Sequence, residues 1–223
     1  KGKADGGDPY CTTELFTSRE NLFDNLEQGG LDFFLVVGDN EWNECAGYDE
    51  NNNDDPVKTL WRNHFALPQS PFSSFDQATL ASGAASPIVE RDVLYPENFF
   101  FFYNNVAFFG VTEPAVESTY NSRNRDWVQT KLSGLNPAAI VIFGHANLST
   151  ITKEILPTDT PILYVHGNGH PQQWCMQFDT TISNFYLDME VEAFLANPLK
   201  VSIVEQDGQY FFHVAEIEIG CIV

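Results

Sequence analysis

Three stretches of the chain are apolar without alternation and end on glycine or histidine: residues 31–37, 138–143 and 162–165. Short continuous apolar runs bounded by polar residues predict strands covered on both faces, the pattern of a parallel or mixed sheet. Helical spacing occurs between them. Leu22, Phe23 and Leu26 follow Ser18 as an N-cap and precede the stop Gly29-Gly30, which predicts a helix over 17–28. A short helix is expected over 58–65, and another over 123–132 with Trp127, Val128 and Leu132 turned inward.

Other segments read as hairpins and loops. Residues 99–103 and 106–111 flank Asn104-Asn105 and predict a β-hairpin. Residues 185–191, 199–205 and 210–219 alternate in polarity like strands of an antiparallel sheet, with Asp207-Gly208 as a hairpin turn. The stretches 1–10, 43–55 and 70–86 are rich in Gly, Asp, Asn, Ser and Pro and read as loops. Buried strands and helices early, with antiparallel strands late, predict a layered α/β sandwich in a single domain over 1–223.

Charge narrows the partners. Eleven Lys and Arg stand against 31 Asp and Glu, a formal net charge of -20, which repels nucleic acid and anionic membranes. An anionic substrate would need a bound cation to offset that field. No run reaches the roughly 18 apolar residues of a membrane span. The chain begins at Lys1 without a basic-then-apolar leader, so a removed signal or further upstream sequence is expected.

Four cysteines, Cys11, Cys45, Cys175 and Cys221, are widely spaced without a Cys-x-x-Cys pair, which argues against structural zinc. Two disulfides suit a secreted acidic protein, and the expected pairing is Cys11 with Cys45 and Cys175 with Cys221. Four reduced, buried thiols are the alternative. The acidic stretch 49–55 lacks the central glycine and final Glu of an EF-hand and reads as a solvated loop.

Chemistry gathers where the apolar runs stop. Residues 31–37 lead into Gly38-Asp39-Asn40-Glu41-Trp42, 138–143 into Gly144-His145-Ala146-Asn147, and 162–165 into His166-Gly167-Asn168-Gly169-His170. Buried strands of one sheet deliver the loops that follow them to a common edge. Imidazole nitrogens and amide oxygens suit divalent transition metals. Each residue also has a structural reading: Asn40 as a turn cap, Glu41 as a solvated side chain, His145 as a hydrogen-bonded core histidine. His64 and His213 read as structural, and Trp42, Trp61, Trp127 and Trp174 as packing. Asn147-Leu148-Ser149 is a glycosylation sequon beside His145.

With these blocks the chain resembles the calcineurin-like metallophosphoesterase family, in the branch whose Gly-Asn-His-Glu block reads Gly-Asp-Asn-Glu-Trp. The resemblance implies an α-β-β-α sandwich of two mixed sheets flanked by helices. It implies two divalent metal ions (Fe, Mn or Zn) that hydrolyse a phosphate ester. Asn40 and His145 match metal ligands of the family, and Glu41 stands where a histidine usually protonates the leaving group. Asn168 and His170 match the two histidines of Gly-His-x-His, with Asn168 departing from the family's residue. His166, just before that block, joins Glu41 as a catalytic candidate. The Asp-x-His block with which the family begins, and the Gly-Asp block that follows it, are not visible ahead of residues 31–37, so an upstream segment is expected to supply those ligands and the missing strand or strands. The alternative is a non-catalytic extracellular protein that keeps the fold and self-assembles into a structure or filament.

Overall fold

The computed structural model describes residues 12–14, 16–18, 21, 36, 45, 52, 54–65, 89–112, 118–146, 148, 150–167, 175–178, 186–190 and 199–216. The expected strand over 31–37 and the loop over 70–86 lie outside the described residues, as do Asn40, Glu41, Asn168 and His170. Of the helix expected over 17–28, residues 17, 18 and 21 are described and helical.

Helix α1 (Pro56–Phe65) starts one turn's edge earlier than its apolar spacing indicates, because Asp55 caps it. The Asp55 carboxylate accepts the Val57 amide at 2.7 Å, and Pro56 sits at the first helical position, where no amide proton is needed. Asp55 is therefore a buried cap and not part of a solvated acidic loop.

A seven-stranded mixed sheet forms the centre, in the order β1-β2-β3-β4-β5-β7-β6. Strands β1 (Glu90–Arg91), β2 (Phe99–Tyr103) and β3 (Val106–Gly110) pair antiparallel. Strands β4 (Ala139–Phe143), β5 (Ile162–His166) and β7 (Tyr186–Glu190) continue from β3 in parallel, and β6 (Cys175–Phe178) closes the edge antiparallel to β7. Helix α2 (Ser118–Leu132) makes the crossover from β3 to β4, and the short α3 (Thr150–Lys153) lies between β4 and β5.

The expected hairpin at Asn104-Asn105 is present. Both asparagines have positive φ, 45° and 64°, as a two-residue turn matched to strand twist requires. Its strands are held by cross-strand aromatic pairs, Phe101 on Phe108 at 4.6 Å and Phe100 on Phe109 at 4.9 Å between ring centroids. Opposite Phe99 stands Gly110, where a Cβ would fall inside the Phe99 ring.

The second expected hairpin is also present, β8 (Leu199–Gln206) with β9 (Gln209–Glu216), turning on Asp207 and Gly208 at φ 54° and 77°. It forms a separate two-stranded sheet. Tyr186–Glu190 does not join it: the strand expected over 185–191 lies in the large sheet instead, parallel to β5 on one side and antiparallel to β6 on the other. Its alternation misleads because the polar position, Asp188, is itself buried.

The large sheet is covered on both faces. On one, Ala107, Phe109, Ile140, Ile142, Ile162 and Tyr164 pack against Trp127 and Val128 of α2 and against Leu148 and Leu156. On the other, Val141, Leu163 and Met189 lie under Val201, Ile203, Phe212 and Val214 of the hairpin. Each fully buried aliphatic side chain in these layers contributes about 1.5–3 kcal/mol of transfer free energy. The architecture is thus mixed α/β, with helices on one face of a mixed sheet and a two-stranded antiparallel sheet on the other.

Candidate functional site

Parallel pairing brings the carboxyl ends of β3, β4, β5 and β7 to one edge. The ladder continues past the strands: the Val111 amide donates to Phe143 O at 2.9 Å, Gly144 to Val165 O at 3.0 Å, and Gly167 to His145 O at 3.1 Å. Two of the expected strand-end blocks, at His145 and at His166, therefore sit on adjacent strands with their backbones tied together. Asn40, Glu41, Asn168 and His170 fall outside the described residues, so the juxtaposition is drawn for His145 and His166 alone.

His166 is 4 % exposed, and its Nε2 lies 2.7 Å from Oδ1 of Asp188, which is 7 % exposed. The Asp188 carboxylate orients the ring through Nε2 and leaves Nδ1 as the ring's other polar atom. That atom is buried and has no hydrogen-bond partner among the described residues. A histidine anchored by a carboxylate through one nitrogen is the arrangement used by metal-ligating histidines and by general bases.

Tyr164 fixes the ring from below. It stacks on His166 at 5.2 Å between centroids with a 20° interplanar angle, and its hydroxyl donates to Ala146 O. The phenol crosses the neighbouring strand to reach that carbonyl, which only a glycine at 144 permits: a Cβ there would collide with the Tyr164 hydroxyl, with ring carbons at 3.0 and 3.1 Å. Gly144 thus connects the sequence signal at the strand end to the geometry of both histidines. His145 itself is half-buried.

A buried polar network braces the same edge beyond β3. Glu97 precedes β2 and accepts Arg62 Nε at 2.8 Å, Arg62 Nη2 at 3.0 Å and the Tyr120 hydroxyl at 3.1 Å. Asn98 accepts the Thr112 amide at 2.8 Å and donates to Asn124 Oδ1 at 2.7 Å, while Asn124 donates back to Thr112 O at 2.5 Å. Asp92 accepts Arg123 Nε at 2.7 Å and also bonds Arg123 Nη2. Burial alone would lower the pKa of Arg62, but the Glu97 hydrogen bond and charge outweigh it and raise the value. Burial, followed by the Glu97 charge, pushes the Tyr95 phenol up. These groups satisfy one another, and their role is to hold the start of β2 and α2 against the end of β3.

The sequence alone did not single out Asp188, Tyr164 or Glu97. Asp188 looked like the solvent position of an alternating strand, and the only available signal was a lone carboxylate in a run, residues 185–191, otherwise close in character to the buried strands. Trp61 and Trp127 are buried, as packing residues should be. His64 meets Phe16 edge-on at 5.8 Å, and His213 is exposed on β9. Cys45 is buried and disulfide-bonded, and its partner falls outside the residues whose side chains are described.

Among the described residues no group of three or more His, Cys, Asp and Glu side chains converges as a metal cage. No family model matches the chain, and no curated protein matches it.

Proposed function

We propose that this chain belongs to a metal-dependent phosphoric ester hydrolase of the calcineurin-like class. The observation that carries the reading is the placement of His145 and His166 at the ends of adjacent parallel strands, with His166 anchored by Asp188 and its Nδ1 without a hydrogen-bond partner among the described residues. In this reading the hairpin β8–β9 belongs to the second sheet of an α-β-β-α sandwich. Asn40, His145, Asn168 and His170 hold divalent Fe, Mn or Zn, a donor set whose imidazoles and amide oxygens suit such ions.

When bound, the metal pair supplies Lewis acidity toward phosphate oxygens and a nucleophilic hydroxide near neutral pH. The chain's own residues orient and exchange protons. Asp188 anchors the His166 ring through Nε2, Tyr164 supports its face, and His166 is assigned to proton transfer. Glu41 is assigned to the leaving oxygen. The metals also offset the net charge of -20 that would otherwise repel a phosphate ester.

The test is hydrolysis of a chromogenic phosphate ester by the full-length protein with added Mn, Fe or Zn. Turnover that is lost in His145→Ala and His170→Ala, with the circular dichroism spectrum unchanged, is the expected result. No turnover with any of the three metals sinks the proposal. A secreted location fits the disulfide at Cys45.

A second reading, a non-catalytic extracellular protein that self-assembles on this fold, draws on the same disulfide, on Asn168 standing where the family has histidine and on the net charge of -20. Sedimentation would separate the two: a large metal-free assembly favours the second, a metal-loaded monomer the first.

A further inference from the structure

At the opposite edge of the large sheet from His145 and His166, a cleft of about 430 Å³ opens between the amino ends of β4 and β5 and the tip of the β8–β9 hairpin. This volume is within the range of small-ligand sites, roughly 300–1,000 Å³. It is lined by Leu187, Pro137, Pro161 and the hairpin residues Tyr210, Phe211 and Phe212, of which Tyr210 and Phe212 turn toward the large sheet. Phe211, on the other face of the strand, is 49 % exposed.

Charge decides what fits there. The residues that line the cleft include Asp159 and no lysine or arginine. Asp159 lines the cleft directly, and the Glu205 carboxylate lies 3.4 Å from the Tyr210 hydroxyl. An anionic ligand would meet carboxylates and no counter-charge, in a chain already at -20. A cation with an apolar body meets aromatic faces, which attract positive charge through the ring quadrupole, and a rim of carboxylates.

We propose that this cleft binds a small organic cation of the alkyl- or quaternary-ammonium class, with Tyr210 against its methyl or methylene groups and Asp159 beside its charge. The site rests on residues that the hydrolase reading does not use, so either proposal can fail without the other.

The probes are choline chloride and its neutral isostere 3,3-dimethylbutan-1-ol, titrated at low ionic strength and followed by NMR shifts of the Leu187 methyls and the hairpin amides. Choline is expected to bind and the isostere to bind about 2- to 30-fold more weakly, the range spanned by cation–π contacts from exposed to desolvated sites. Tyr210→Leu and Asp159→Asn should each weaken choline several-fold while leaving the rest of the spectrum in place. Added salt should weaken it further. Equal binding of choline and the isostere, tighter binding of a neutral methyl glycoside, or no shift with choline up to high millimolar concentration would overturn the proposal.

Discussion

Removing the Glu97 carboxylate is the sharpest test of how the candidate edge is held together. Glu97 is 1 % exposed and accepts two N–H groups of Arg62 and the hydroxyl of Tyr120, which is itself fully buried. Glu97→Ala therefore takes from a buried guanidinium the carboxylate that neutralises it and from a buried phenol its acceptor. Breaking one side of a buried ion pair costs about 3–5 kcal/mol. A native domain holds only about 5–15 kcal/mol in all. At about 2–4 °C per kcal/mol for a chain of this size, the melting temperature should fall by roughly 6–20 °C.

Urea unfolding followed by tryptophan fluorescence reads this directly, because Trp61 and Trp127 are both buried. The double variant Arg62→Met/Glu97→Leu removes both charges and should recover most of the loss, since a buried pair replaced by apolar side chains is often neutral. A loss below about 1 kcal/mol in Glu97→Ala, the size of an exposed pair, would refute the reasoning. A double variant no better than the single one would do the same.

Three further outcomes are expected. Gly144→Ala should drive the Tyr164 ring off its path to Ala146 O and cost about 1–3 kcal/mol, the usual penalty of overpacking, measured by thermal melting. Gly208→Ala, at φ 77° in an open turn with nothing near its Cβ, should cost about 1 kcal/mol through backbone strain alone, visible as a lower urea midpoint. Asp188→Asn should keep the fold but lower phosphate-ester hydrolysis about 10- to 100-fold, because the carboxylate that anchors the His166 ring is lost. An Asp188→Asn protein with full activity would remove His166 from the chemistry.

How much of this could be read from the chain differs from element to element. Both hairpins were legible because Asn104-Asn105 and Asp207-Gly208 are residues that accept positive φ, a local property. Strands β4 and β5 were legible because burial on both faces leaves no polar position within residues 139–142 and 162–163. The first turn of α2 was not: its inward position is Tyr120, a polar residue that breaks the apolar period yet is satisfied by Glu97. Strand β7 was assigned to the wrong sheet for the same reason, since the polar Asp188 is buried by its bond to His166.

At the candidate site, His145 and His166 were legible from a glycine or a strand end beside each imidazole. Asp188 was not, because it stands 22 residues from His166 and only parallel pairing brings the two together. Local pattern thus located the histidines, while tertiary pairing supplied the group that anchors one of them.

The most direct measurement is the metal content of the full-length protein after loading with Mn, Fe or Zn and exhaustive dialysis, compared between the native chain and His145→Ala. The account predicts about two equivalents in the native protein, as a dinuclear centre needs, and a clear loss in the variant. A native protein that retains no metal, or a variant that retains as much as the native chain, would contradict it.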